Sequence, residues 1–213
     1  MVRYALTGYS PQVTSQYAPR SGGEVTLQTV RRRVEIDAPI EAVLSLTLDA
    51  ERYPEFAPSI DATELLWHNR AEKKYLIRYT STIPVINKTA VSEQEVHYDI
   101  ASTTFNFRET KGNFGVFEGY RRLHVLPGSR SAIESEVRYS FGGNRLMAAL
   151  VNKATQGVVQ SNLENIQDGI KRLAEQGRAE SLAAVLSKLQ VTPQMLLEQG
   201  VPHEVLRGYG LHK

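Results

Sequence analysis

From residue 61 to residue 141 apolar and polar residues alternate, and no stretch has the length or period of a helix. Six strands are predicted, near 61–68, 73–81, 88–98, 103–109, 115–125 and 131–141. The turn signals between them are Asn69-Arg70, Pro84, Asp99, Lys111-Gly112-Asn113 and Pro127-Gly128-Ser129. Parallel neighbours need a crossover of a dozen or more residues, and these intervals are too short for one. The segment is therefore an antiparallel meander, and one face of it must be covered. The flanks supply the cover. Val30, Arg32, Val34 and Ile36 share one face of an earlier strand, and Asp37-Ala38-Pro39 then opens a helix running to Asp49. Ala42, Val43, Leu46 and Leu48 give that helix an apolar side. A long helix begins near Asn144, where Ala148 and Ala149 keep the early turns slim. Val159, Leu163, Ile166, Ile170 and Leu173 then form its stripe, at alternating spacings of four and three. The fold class is α+β.

The stretch between the first helix and the meander, DAERYPEFAPSI at 49–60, starts as a helix and cannot continue as one. Pro54 and Pro58 each remove a backbone donor and clash with the preceding turn, so the segment bends. Tyr53 and Phe56 sit inside this bend, where an ordinary solvated loop has little use for two aromatic rings.

The ends differ from the middle. Residues 1–24 mix Ser, Thr, Gln, Gly and Pro with scattered tyrosines and read as an extended or disordered arm. The central domain spans 25–176. Residues 177–213 form a helical tail with a second apolar stripe at Leu182, Val185, Leu186 and Leu189. A further short helix in it starts at Thr192-Pro193 and is capped at Gly200. Helices of this length are not stable alone, so the stripe packs on something; its own domain is the commoner outcome, with self-association or a protein partner as the others.

Several functions are disfavoured by composition. With 25 Lys plus Arg against 23 Asp plus Glu, the balance gives no support for a nucleic-acid-binding face, although Arg31-Arg32-Arg33 is locally basic. There is no cysteine, hence neither disulfide nor thiolate metal site. The five histidines, at 68, 97, 124, 203 and 212, show no pair at helical ligand spacing, so no metal is expected. No cofactor is expected either, since no strand leads into a glycine-rich phosphate loop, and no Gly-x-Ser-x-Gly elbow offers a nucleophilic serine. No apolar run approaches the roughly 20 residues of a membrane span. The first residues lack the apolar core of a secretory signal, so the expected location is cytoplasmic, with peripheral membrane contact left open.

Three stretches resemble the START-like, helix-grip superfamily of polyketide cyclases and coenzyme-Q-binding proteins: VEIDAPIEAVLSLTLDAERYPEFAPSI, FEGYRRLHVLPG and SEVRYSFGG. The resemblance covers about residues 28–175. It implies a curved antiparallel sheet of about seven strands wrapped around the long C-terminal helix, with an apolar cavity between them. Ile133, Val137, Tyr139 and Phe141 form the inward phase of the last strand, Phe117, Gly119, Arg121, Leu123 and Val125 that of the strand before it, and Phe105 and Phe107 that of the next. The ligand-binding candidates are thus Tyr53, Phe56, Phe105, Phe107, Phe117, Arg121, Val137 and Tyr139, with Tyr53 and Phe56 at the cavity rim.

Arg121 stands where the family's pattern usually places a tryptophan. Either it anchors the carbonyl or carboxylate of a mostly apolar ligand, or a bulge turns it to solvent and Tyr120 inward. The second reading is slightly favoured, because one slip in phase reverses every side chain. Glu93, Glu95 and His97 share one phase of their strand, and a solvated face is the reading favoured for them; if they face inward, one of them is the partner of Arg121. Trp67 and His68 read as surface packing beside a turn.

The expected function is binding or carrying of a hydrophobic small molecule: a quinone, isoprenoid, lipid or polyketide-like ring system. The alternatives are an aromatase/cyclase, with Arg121, Tyr139 and His97 as catalytic candidates, and an adaptor docking through its N-terminal arm and tail. One fold hosts many functions, so the carrier, enzyme and adaptor readings all stand at this point.

Overall fold

The computed structural model describes residues 27–83, 88–140 and 145–211, with only the backbone described at 83, 88 and 145–155. Seven strands form one antiparallel sheet: β1 (Gln28–Ile36), β2 (Ala62–Asn69), β3 (Lys74–Ile83), β4 (Lys88–Asp99), β5 (Thr104–Lys111), β6 (Val116–Leu126) and β7 (Arg130–Ser140). Their spatial order is β1-β7-β6-β5-β4-β3-β2, so the meander runs as expected and β1 closes on its last strand. Helix α1 (Ile40–Leu48) leaves β1, and a 3₁₀ turn at Ala50–Arg52 leads into α2 (Tyr53–Phe56). Pro54 occupies the first turn of α2, where the missing donor is harmless. Pro58 stands in the turn that ends the bend.

The long helix α3 (Arg145–Glu175) lies across the sheet against β1 and β7 and touches α1 and α2. Its stripe is used as expected, with Val159, Leu163, Ile170 and Leu173 buried and Ile166 packed against the core. This is the helix-grip arrangement. Ala148, Ala149 and Phe141 lie outside the described side chains.

The tail forms α4 (Leu182–Lys188), α5 (Pro193–Glu198) and α6 (His203–Gly208), all packed on the domain itself. All three end alike. Gln190, Gly200 and Gly210 have positive φ, and the next residue's N–H reaches a carbonyl five residues back. These bonds are Val191 to Leu186 at 2.8 Å, Val201 to Leu196 at 2.9 Å and Leu211 to Leu206 at 2.9 Å. The closure is a Schellman motif repeated every ten residues, and all six of those bonded residues are buried. Helices too short to stand alone thus become one layer joined to the main core. Around it, Ser45 donates to the Glu180 carbonyl (2.7 Å) and Lys188 pairs with the buried Asp49 (3.3 Å).

Candidate functional site

Strand alternation fixes which side chains meet α3. Around Arg121 the β5–β6 and β6–β7 pairings run without a register shift, placing Phe105 and Ser135 opposite it. The bulge that would have turned Arg121 to solvent is absent, and Tyr120 points outward to Glu134 instead (2.9 Å). Arg121 therefore faces inward. Its Nη1 donates to the Tyr53 hydroxyl at 2.8 Å, and its Cζ lies 5.9 Å from the Tyr53 ring centroid. That hydroxyl in turn donates to the Thr47 carbonyl at 3.0 Å.

Tyr53 and Phe56 are both buried, not at a rim. Tyr53 packs against Phe56 (5.5 Å between centroids) and Tyr79 (6.4 Å). Phe56 lies on Gly169 of α3, where an added Cβ would come within 2.2 Å of the ring. The proline bend thus drives two aromatic rings between α1, α3 and the sheet. Tyr75 and Tyr79, which the sequence reading missed, line the same side from β3. Burial pushes both phenols upward, and the Arg121 charge pulls the other way.

Nearer the β5–β6 hairpin the face is aromatic. Phe107 and Phe117 stand 6.1 Å apart, Phe114 packs on Phe117 at 4.8 Å, and its ring meets Tyr139 edge-on at 6.0 Å. Phe105, Val137 and Tyr139 are buried, whereas Val125, expected in the same inward phase of β6 as Arg121, is exposed beside the β6–β7 turn. The eight ligand-binding candidates thus lie on the side of the sheet facing α2 and α3, from Tyr53 and Phe56 to Tyr139.

His97 does not join them. It lies on the opposite face, opposite Lys74 and Asn106, and borders an outer depression of about 320 Å³ with Glu95, Arg108 and Tyr120. Glu93 and Glu95 are engaged on that outer side, with Arg78 and Lys111 and with Arg108 respectively. The catalytic trio Arg121, Tyr139 and His97 is therefore not assembled; the β4 face points outward, with His97 exposed but Glu93 buried beneath its ion partners Arg78 and Lys111.

His68 departs from the surface reading, while Trp67 remains partly exposed. The His68 Nδ1–H donates to the Leu189 carbonyl in the tail (3.0 Å), and Nε2 accepts from the Tyr98 hydroxyl (2.8 Å). Its task is to tie the sheet to the tail.

Polar groups that the sequence reading did not single out also lie inside. Gln167 on α3 is fully buried and donates to the Ser135 hydroxyl at 2.9 Å. Glu109 on β5 accepts from Ser92 (2.7 Å) and from the Phe114 N–H (3.1 Å), and burial holds its carboxyl above the usual range. Arg121 Nε, Tyr139 Oη and Gln167 Oε1 are buried with no partner among the described residues. Most buried polar atoms in proteins are paired, so three orphans beneath one aromatic lining mark this as the candidate site.

A model of the polyketide cyclase/dehydrase and lipid transport family matches residues 28–171. The chain belongs to that family. Its fold is similar to that of a Thermus thermophilus protein at 19% identity and a TM-score of 0.63, covering 71% of this chain and all of that one. It is similar to the Zhui aromatase/cyclase of a Streptomyces species, at 13% identity and a TM-score of 0.60, over 73% of this chain and all of that one. A START superfamily protein of Mycobacterium smegmatis aligns at 18% identity and a TM-score of 0.54, over 70% of this chain and 97% of that one. No curated protein matches the sequence. Among the described residues no group of three or more His, Asp or Glu could hold a metal, and no helix is long and apolar enough to cross a membrane.

Proposed function

We propose that this chain binds or carries a hydrophobic small molecule, of the quinone, isoprenoid, lipid or polyketide-like kind, between the sheet and α3. The observation that supports it most is Arg121: an inward guanidinium with Nε unpaired, set among Tyr53, Tyr75, Tyr79 and Phe105. Leaving a buried donor unmet costs about 1–3 kcal/mol, more for a charged group, and a core built only for stability has no reason to carry one. An apolar body covers the rings while a polar head meets the cation. The test is solvent extraction of the purified protein followed by mass spectrometry, with native mass spectrometry for stoichiometry. A stoichiometric hydrophobe is the expected result; a protein that neither carries nor takes up any such molecule sinks the reading.

The aromatase/cyclase reading stays second and draws on Glu109 rather than His97. A half-buried acid held toward its protonated form has the character of a general acid or base, and it shares its face with Arg121. The proposal includes a cytoplasmic location, in keeping with a chain that has no cysteine to oxidise. Cell fractionation checks it.

A further inference from the structure

The polar head that Arg121 is built to receive follows from which of its donors are already used. A guanidinium has five N–H donors arranged in forks, and carboxylates meet it bidentately along an edge. Tyr53 takes Nη1, the end nearest α2. The Nε–H and Nη2–H donors, which form the side edge, bond to no described residue, and Nε is fully buried. Among the described residues no carboxylate pairs with Arg121 either. Glu109 shares the face, but it lies four residues along β5 from Phe105, which stands opposite Arg121. At about 3.4 Å per residue that is about 14 Å of backbone away.

A ketone or a hydroxyl fills one of those donors and leaves the charge unbalanced. A carboxylate fills both and neutralises it. The amide across the strand pair adapts to such a ligand. Gln167 bonds to Ser135, whose Cα is the register partner of Arg121, and a serine hydroxyl both donates and accepts. The amide can therefore turn over, keep its bond to Ser135 through Oε1, and offer its N–H groups instead.

We propose that the ligand is an amphipathic monocarboxylic acid, its two oxygens on Nε and Nη2 of Arg121 and its apolar body against Tyr53, Tyr79 and Phe105. The assignment rests on the hydrophobe-binding reading and narrows it to one head group. Tyr53 is the positioning residue: it holds the guanidinium so that the free edge, not the Nη1 end, faces the ligand.

The experiment uses the full chain and two fluorescent pairs, 11-(dansylamino)undecanoic acid with its methyl ester and pyrenebutyric acid with its methyl ester. Chain and ring bodies are thus both offered with and without the charge. At least one acid is expected to bind about 30-fold more tightly than its ester, the worth of one charge-assisted hydrogen bond. Arg121→Met is expected to erase the difference by weakening only the acid, and Arg121→Lys, which keeps the charge without the fork, to restore part of it. Acid and ester binding equally to the parent protein, or the ester more tightly, overturns the carboxylate assignment and leaves hydrophobe binding standing. If none of the four binds, both fall. The comparison within the parent protein does not depend on any variant folding.

Discussion

Two regions of the core, the tail layer and the face under α2 and α3, solve opposite problems with similar residues. At the tail end, where β2 meets β3 and β4 meets β5, three short helices cover the core. Leu186, Val191, Leu196, Val201, Leu206 and Leu211 are buried there, and the capping groups all find partners in the ten-residue closure. Under α2 and α3, from Arg121 at the middle of β6 to Tyr139 near the β5–β6 hairpin, the interior is as apolar, with Phe107, Phe114 and Phe117 in it, yet it carries unpaired polar atoms. Satisfied polar groups in a packed layer serve stability. Unsatisfied ones beside an aromatic face cost stability and have their use in binding. The molecule therefore divides stability and function between the tail layer and the face under α2 and α3, and that division can be broken experimentally.

The largest effect is expected from removing the tail. A chain of residues 25–176 uncovers the face that Leu182, Val185 and the six repeat residues bury. Each such side chain contributes about 1.5–3 kcal/mol when fully buried, and a whole domain has only about 5–15 kcal/mol to lose. The truncated chain is expected to lose cooperative thermal unfolding. A sharp melt at the parent Tm would show that the tail is an appendage.

Next comes Leu196→Ala. The side chain is fully buried, and a cavity there costs about 2–5 kcal/mol. Chemical denaturation should show that loss, while affinity for a bound hydrophobe, measured well below the midpoint, stays within about twofold. A large loss of affinity would mean that the two regions are coupled.

Arg121→Met reverses the pattern. Binding is expected to fall, yet stability to stay within about 1 kcal/mol of the parent or to exceed it, because a partly buried cation is exchanged for an apolar side chain of similar length. Tyr53 keeps its bond to Thr47 in the variant. A loss of stability as large as that of Leu196→Ala would make Arg121 a structural residue.

How much of this the sequence revealed follows the same divide. The strands were legible because alternation has a period of two, and the α3 stripe because helical spacing repeats. The tail was legible as helical, but its ten-residue period was not, since a search for 3.6-residue faces passes over a repeat carried by caps. The signal was present in Leu186, Leu196 and Leu206, each followed four residues later by Gln190, Gly200 or Gly210. The site was harder. Which way Arg121 points depends on an unbroken register across three strands, and no local pattern reports the absence of a bulge. Gln167 reads as an ordinary polar residue between Ile166 and Ile170, because its burial depends on Ser135, thirty-two residues away. Phase separated His97 from Arg121 only once β4 had been placed against β3 and β5.

The smallest effects are expected from acid and base, and they have opposite signs at the two ends. Burial lowers the pKa of His68 at the tail end, so the folded protein favours the neutral ring. The unfolded chain then takes up a proton more readily, and stability fully present above the ordinary histidine pKa is lost as pH falls below it and through the lowered folded value. The neutral form also suits the geometry, because Nδ1 donates to Leu189 and Nε2 must accept from Tyr98. Burial raises the pKa of Glu109 near the hairpin, so there the folded chain is the readier proton acceptor. Its contribution is fully present below the ordinary carboxylate pKa and is lost as pH rises through the folded value. Glu109→Gln keeps an acceptor for the Phe114 N–H and offers a donor to Ser92. It is expected to raise Tm at neutral pH by at most about 2 °C and to match the parent at pH values below the carboxylate range. His68→Gln is expected to flatten only the acid side of the stability profile. Thermal melts across pH 3–8 check both, and a Glu109→Gln difference that grows toward acid pH would show that the carboxylate is held ionised, with Ser92 and the Phe114 N–H outweighing its burial.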